Sequence, residues 1–410
     1  MAMLVPDAYN IETVLATIAA QGASSRAAVA RKVNLSRTTI STIVGKLMAL
    51  SLVAEKSVHI NGRGRPGIIL DLDDSRWRSL GAEYHSGKWS FVSTNLKGEI
   101  LDRAVLKVNG NSPAEFLDRL VSGLRDFAGN LSGDLLPAVG IGVPGLVDCE
   151  KNVILSADDL GWKEVAVGSR VKDALGLEPM LINRNRASGL AEARFGAGRD
   201  VHGFVYIGIG TGISAAFIND GVLLNGSAFS AGEIGHTIMD TRGLVCGCGK
   251  RGCLQMYASG SAMAARAEKM IAEGRPSGLS ALLTGQEGRQ ESRSLTGEDI
   301  CTAAAAGDGL AAECLNEAGR FLGLAVANII TSLNPDKIVI GGPIGLMEGA
   351  LIDLIREMAA AWSMPHAFHS ASIERGRLDD FVGAHGAACR VLDRKYVLAQ
   401  RGPYEVPRKT

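Results

Sequence analysis

Three of the chain's seven cysteines, Cys246, Cys248 and Cys253, fall within eight residues, and His236 precedes them in the spacing His-x9-Cys-x-Cys-x4-Cys. Three thiolates and one imidazole make a closed four-ligand shell, which Zn²⁺ accepts tetrahedrally with no position left open for a reacting water. A metal bound there is structural, and it obliges the segment from 236 to 253 to fold back on itself. Gly247, Gly249 and Gly252 stand between and beside the thiols. They supply the tight turns, some at positive φ, that wrapping three sulfurs round one ion requires. A chance cluster of buried thiols is the alternative, and known zinc spacings favour the metal.

An odd total of cysteines, three of them claimed by the metal, does not read as a disulfide framework. No basic segment precedes the apolar start of the chain, so a cytoplasmic protein without a secretory leader is expected. No stretch approaches the roughly 18 uninterrupted apolar residues of a membrane span. At 410 residues the chain has room for two or three domains. Its net charge of zero conceals an asymmetry: residues 1–72 carry eight Lys or Arg against four acids, which leaves an acidic body behind a basic head. That is the footprint of a nucleic-acid module.

The head, residues 8–72, reads as a winged helix-turn-helix. Ile11, Val14, Leu15 and Ile18 recur at helical spacing up to Gln21-Gly22, and Ser24 or Ser25 caps a second helix through Val33. Ser36 caps a third, which buries Ile40, Ile43, Val44, Leu47 and Leu50 and displays Arg37, Thr38, Thr39, Ser41 and Thr42 near its start. Short polar side chains and an arginine in that place suit major-groove base edges. Two strands, Leu52–Glu55 and Ile68–Leu70, flank a glycine-rich loop that carries Arg63 and Arg65, a wing for phosphates or a minor groove. Of these, Ser36, Arg37, Thr38, Thr39, Thr42, Arg63 and Arg65 are the expected DNA contacts. The acidic segment from Asp71 to Ser75 reads as a linker. A small winged helix used for protein contacts is the blander alternative.

In the body, residues 80–108 and 203–224 share a plan of β-hairpins followed by helices, which suggests two lobes facing a cleft. Gly-Glu-Ile-Gly-His at 232–236, followed by Cys-Gly-Cys-Gly-Lys-Arg-Gly-Cys-Leu at 246–254, resembles the signature of the ROK family (repressor, open reading frame, kinase), over about residues 78 to 392. The resemblance implies an α/β actin-like, ribonuclease-H-like fold whose lobes close on sugar and nucleotide. It also implies that the zinc loop lies against the sugar pocket, with the metal-binding histidine facing the sugar. Lobe one is expected over 76–190, completed by a C-terminal helix at about 383–395, and lobe two over 191–382.

Family kinases carry Asp-x-Gly-Gly-Thr-Lys on the first hairpin; the matching run here is Glu83-Tyr84-His85-Ser86-Gly87-Lys88. Side chains at His85 and Ser86 obstruct the close approach of backbone to phosphate. The second loop, Gly208-Ile209-Gly210-Thr211-Gly212, keeps the family pattern, though such a run also serves as a strand turn. Where the kinases read Asn-Asp-x-Asn-Ala with the Asp as base, this chain reads Asn183-Arg184-Asn185-Arg186-Ala187. A guanidinium, with a pKa above about 12, accepts no proton at neutral pH. Asn183 remains to bond a sugar hydroxyl. Glu233 and His236 match the sugar-facing pair, and Gln255 replaces a Glu that usually follows Gly-Cys-Leu.

The expectation is therefore a reader and not an enzyme: a repressor of carbohydrate-metabolism genes that binds operator DNA as a homodimer or tetramer. Asn183, Arg184, Glu233, His236 and Gln255 would hold a sugar or sugar-phosphate effector, and Zn²⁺ would be bound by His236, Cys246, Cys248 and Cys253. Arg184 either meets an anionic group on the ligand or pairs with Glu233 across an unused pocket. The rivals are an ATP-dependent sugar kinase with an appended DNA-binding head, and a DNA-bound scaffold controlled by a partner protein.

Overall fold

A computed structural model of the chain describes residues 8–22, 24–58, 67–108, 110, 112–199, 201–284 and 293–396. The head consists of α1 (Ala8–Gln21), α2 (Arg26–Lys32) and α3 (Arg37–Ala49), followed by the antiparallel pair β1 (Val53–Val58) and β2 (Gly67–Leu72). Ser25 and Ser36 are the N-caps of α2 and α3, their hydroxyls accepting from the N–H groups of Ala28 and Thr39. Val14, Ile18, Val29, Ile40, Ile43, Val44, Leu47 and Leu70 form the core under them. Both strands run longer than the sequence pattern suggested, and Arg63 and Arg65 lie outside the described residues.

Lobe one contains β3 (Trp77–His85), β4 (Lys88–Thr94), β5 (Ile100–Lys107), α4 (Pro113–Gly129), β6 (Asp134–Val143), the small antiparallel sheet β7 (Leu146–Asp148), β8 (Val153–Ala157) and β9 (Trp162–Val165), then α5 (Val167–Leu175) and β10 (Glu178–Asn183). From the end of β10 the chain turns directly into α6 (Arg184–Phe195). Lobe two contains β11 (Gly203–Ile209), β12 (Ile213–Asn219), β13 (Val222–Leu223), α7 (Gln255–Ala258), α8 (Gly260–Ala272), α9 (Ser280–Thr284), α10 (Gly297–Ala305), α11 (Gly309–Leu333), β14 (Lys337–Gly341), α12 (Gly342–Gly345), α13 (Leu351–Trp362), α14 (Pro365–Ser370) and β15 (Ser372–Arg375). The last helix, α15 (Val382–Tyr396), returns to lobe one. No helix among the described residues is long and apolar enough to cross a membrane.

The two main sheets repeat one topology, β5-β4-β3-β6-β10 and β13-β12-β11-β14-β15. In each, the first strand is central, pairs antiparallel with the second, and pairs parallel with the fourth. Between the sheets lie two helices, so the order of layers is first sheet, α15, α6, second sheet. A glycine stands at every contact in that stack. A Cβ on Gly81 or Gly140 would meet the carbonyl oxygens of Ala384 or Ala387 in α15 at 2.0 and 1.8 Å. One on Gly386 would meet the Ala187 carbonyl oxygen at 1.7 Å, and one on Gly189 the Ala216 side chain at 2.4 Å. Backbone therefore packs on backbone from the first sheet through α15 to α6, and α6 meets the second sheet at the Ala216 and Tyr206 side chains.

The head docks on this stack. Val391 and Leu392 near the end of α15 share the head's core with Leu96, Leu136, Ala138 and Met180 of lobe one. The acidic segment expected to be a linker is part of that docking: Lys97 reaches both Asp71 and Asp74 at 2.8 Å, and Lys56 reaches Asp71 at 3.1 Å. The Trp77 indole N–H also donates to the Leu50 carbonyl at 2.8 Å. Sequence composition suggested a solvated tether there because the cations that fix it come from elsewhere in the chain.

Candidate functional site

The cleft between the lobes encloses about 300 Å³, and the start of α6 forms its floor. Asn183 is the N-cap of that helix: its side-chain oxygen accepts from the N–H groups of Asn185 and Arg186 at 3.0 and 3.3 Å. Its amide nitrogen donates to the Gly145 carbonyl at 3.0 Å. The sequence reading left this side chain free for a sugar hydroxyl; capping commits its oxygen, and one amide N–H remains. Asn185 reaches lobe two and donates to the Ser214 hydroxyl at 2.7 Å. Gly208 belongs to this contact, since a Cβ there would lie 2.5 Å from the Asn185 amide. Packing against Asn185 therefore accounts for one glycine of the second loop without a phosphate.

Arg184 and Arg186 point to different places. Arg186 is buried and donates to the Phe229 and Leu224 carbonyls at 2.9 and 3.4 Å and to the Asn225 side chain, which pins the 224–229 segment over the helix. Arg184 is half-buried and lines both the cleft and a second cavity of about 230 Å³. The expected alternative of an Arg184–Glu233 pair is not what forms. Glu233 lies in the field of Arg186; burial pushes its carboxyl up to about 7, and that cation opposes the shift. The carboxylate whose field acts on Arg184 belongs to Glu83, itself pushed up to about 7 by burial against the opposing pull of Arg184.

Glu233, His236, Cys248 and Gln255 face the cleft from lobe two, and Asp159 faces it from lobe one. Asp159 was not singled out from the sequence, and no local pattern marks it, because β7 to β9 bring it to the cleft. The ligand atoms of His236, Cys246, Cys248 and Cys253 all lie within 4.8 Å of one another. Cys248 and Cys253 have their sulfurs 3.6 Å apart, and His236 Nδ1 is 3.7 Å from the Cys246 sulfur. Tetrahedral bonds of about 2.3 Å to sulfur and 2.0 Å to nitrogen put neighbouring ligands about 3.6–3.8 Å apart, so the residues fit a metal of that geometry. Gln255 donates to the Cys246 sulfur at 3.5 Å, which orients a ligand while its amide borders the cleft.

On the head, Arg37, Thr38, Ser41 and Thr42 are exposed along the first turns of α3. Ser36 and Thr39 are engaged in the cap, hydroxyl to hydroxyl at 2.8 Å.

Residues 82–394 match the sequence pattern of the ROK family. The chain belongs to the ROK family. It is similar to a xylose repressor of Caldicellulosiruptor bescii, 26% identical over 382 residues that cover 92% of this chain and 94% of the repressor. A glucokinase of Halalkalibacterium halodurans is 30% identical over 317 residues, 75% of this chain and 92% of the kinase. Among solved structures, a ROK family transcriptional regulator, a homolog of the E. coli MLC protein, superposes with a TM-score of 0.79 at 30% identity, covering 95% of this chain and 96% of its own. The repressor and regulator matches leave fewer residues unmatched than the head contains, whereas the kinase match is shorter than the body.

In this ROK chain the turn between β3 and β4 is made by Ser86 and Gly87 at φ 48° and 70°, with His85 and Lys88 paired on either side. It is a two-residue hairpin whose central residues both sit at positive φ. The His85 and Ser86 side chains, 3.2 Å apart, line the second cavity, and Arg184 closes that cavity toward the cleft.

Proposed function

We propose that this chain is a DNA-binding transcriptional repressor of carbohydrate-metabolism genes, and that a sugar or sugar derivative held between its lobes controls its grip on DNA. The observation that carries this reading is the continuity of α15. Its first turn borders Glu83 beside the second cavity, and Val391 and Leu392 near its other end lie in the core of the head. Relatives that regulate transcription support it because their similarity extends through the head.

The head is read as a winged helix-turn-helix. Arg37, Thr38 and Thr42 on α3 face major-groove base edges, Ser36 and Thr39 hold the start of that helix, and Arg63 and Arg65 extend the wing to the backbone or minor groove. The histidine and three cysteines hold Zn²⁺, which fixes the loop geometry and activates no water, since four protein ligands close its shell. Glu233, His236 through its second ring nitrogen, and Gln255 offer acceptors and donors to ligand hydroxyls. Phosphoryl transfer is no part of this reading, because a guanidinium stands where a proton acceptor is needed. Ligand binding favours one spacing of the lobes, α15 passes that shift to the head, and the separation of two heads in a homodimer or tetramer changes.

The test is anisotropy of the full-length protein on operator DNA selected from its own genome, titrated with sugars and sugar phosphates. DNA binding indifferent to every one of them removes the effector from the reading. Phosphorylation of a hexose by ATP at on the order of 1 per second or more would replace it with the kinase alternative.

A further inference from the structure

Among the described residues, the guanidinium of Arg184 has neither a hydrogen bond nor an ion-pair partner. The contrast with other arginines of the interior is sharp. Arg186 satisfies three acceptors, and Arg194 pairs with Asp393. Five N–H donors withdrawn from bulk water without partners are costly.

The surroundings offer no partner either. One guanidinium nitrogen lies 3.4 Å from the Cβ position of Gly210, but the carbonyl there already accepts from Gly260 N–H at 2.7 Å. Glu83 is turned to the start of α15, where it accepts from the Ala384 N–H. Glu233 faces Arg186, and Asp159 stands on the lobe-one side of the cleft without pairing to Arg184. A cation that borders both the cleft of monosaccharide size and the second cavity thus has an open fork at the edge of the space a ligand occupies.

We propose that Arg184 selects the ligand, and that the ligand is an anionic monosaccharide bearing a phosphate or a carboxylate. The inference rests on the cleft being the effector pocket. A planar fork binds two oxygens of either group through parallel charge-assisted hydrogen bonds. Glu233, His236 and Gln255, on the opposite wall, are left for the neutral hydroxyls.

The experiment is calorimetric titration of full-length wild type, Arg184→Ala and Arg184→Lys. Glucose is compared with glucose 6-phosphate and glucuronate, and N-acetylglucosamine with its 6-phosphate; inorganic phosphate is tested by thermal shift. In wild type, one anionic sugar is expected to bind at least about tenfold more tightly than its neutral parent. That ratio is expected to fall close to one in Arg184→Ala and to be partly kept in Arg184→Lys. Millimolar phosphate should raise the unfolding midpoint of wild type and not of Arg184→Ala. Because the guanidinium has no hydrogen bond to lose, Arg184→Ala should unfold no earlier than wild type at pH 5, where Glu83 is uncharged and the Arg184 field holds no carboxylate.

A phosphate arm that binds while the carboxylate arm does not, or the reverse, identifies the group and supports the proposal. Neutral sugar bound as tightly as the anion by wild type, a preference that survives in Arg184→Ala, or an Arg184→Ala protein that unfolds markedly earlier at pH 5, each overturns it. Neutral-sugar binding that still releases operator leaves the effector reading standing without the proposal. No binding by any arm, phosphate included, removes both.

Discussion

Gly386→Ala adds one methyl group at the tightest point between the lobes. Its Cβ would lie 1.7 Å from the Ala187 carbonyl oxygen and 2.3 Å from the carbonyl carbon, where ordinary contact begins at 3.4 Å. Both atoms are backbone, so no side chain can swing aside, and α15 and α6 must move apart to open the contact. Overpacking of this kind costs about 1–3 kcal/mol or more, against which the better helix propensity of alanine returns only about 1 kcal/mol. The reference is Gly45→Ala in α3, where nothing lies within 4 Å of the new methyl and the gain in propensity stands alone. Thermal unfolding should rank Gly45→Ala above wild type and Gly386→Ala below it. Since Val391 and Leu392 travel with α15, Gly386→Ala should also weaken the response of operator affinity to ligand. A Gly386→Ala protein with the wild-type midpoint and undiminished response would refute both the close packing and the route.

Glu83, buried and raised to about 7 from an ordinary 4.5, contributes stability that is complete below the ordinary value and is lost as pH rises through about 7. Glu83→Gln cannot ionise, so it should unfold with wild type near pH 5 and later than wild type at pH 8, by on the order of 3 kcal/mol; a difference independent of pH would contradict the assignment. Elemental analysis should find about one zinc per chain, and Cys248→Ser should lower the stability of lobe two, whereas fully folded, ligand-responsive, metal-free protein would count against the site. Operator affinity should fall steeply with salt, Arg63→Ala and Arg65→Ala should weaken it on all sequences, and Thr38→Ala should relax sequence preference; DNA binding that survives removal of residues 1–72 would move the interface elsewhere.

The features legible in the sequence are those whose partners lie close along the chain. The histidine and three cysteines that come together span 18 residues, and the caps of α2 and α3 sit three positions from the N–H groups they hold. The repeat of two hairpin-led lobes was visible for the same reason, since each hairpin carries its own turn residues. Asn183 marks the limit: its match to a sugar-facing position carries no sign that it is the N-cap of α6. Arg184 and Arg186 stand two apart, and residues two apart on a helix do not share a face. One accordingly enters the cleft while the other holds the 224–229 segment. That the charge of Glu83, about a hundred positions earlier, acts on Arg184 is set by the stacking of two layers, and neither stretch carries a local trace of it.

The stack also decides what a ligand can move. Interiors are close-packed and transmit displacement, and a contact made of backbone on backbone has no rotamer through which to absorb it. The first sheet, α15 and α6 therefore shift as one body, whereas the second sheet meets α6 at the Ala216 and Tyr206 side chains and the far end of α15 meets the head through Val391 and Leu392. With a metal held by His236, Cys246, Cys248 and Cys253 as proposed, the wall of the cleft from 236 to 253 is fixed, so ligand contacts there bear on the position of lobe two more than on the shape of a loop. Coupling between two sites is reciprocal. If the metal holds the wall that the ligand needs, ligand must hold the metal in turn, and saturating ligand should slow the loss of zinc to a chelator. Equal rates of loss with and without ligand would mean that the wall keeps its shape without the ion, and that the cluster serves the stability of lobe two alone.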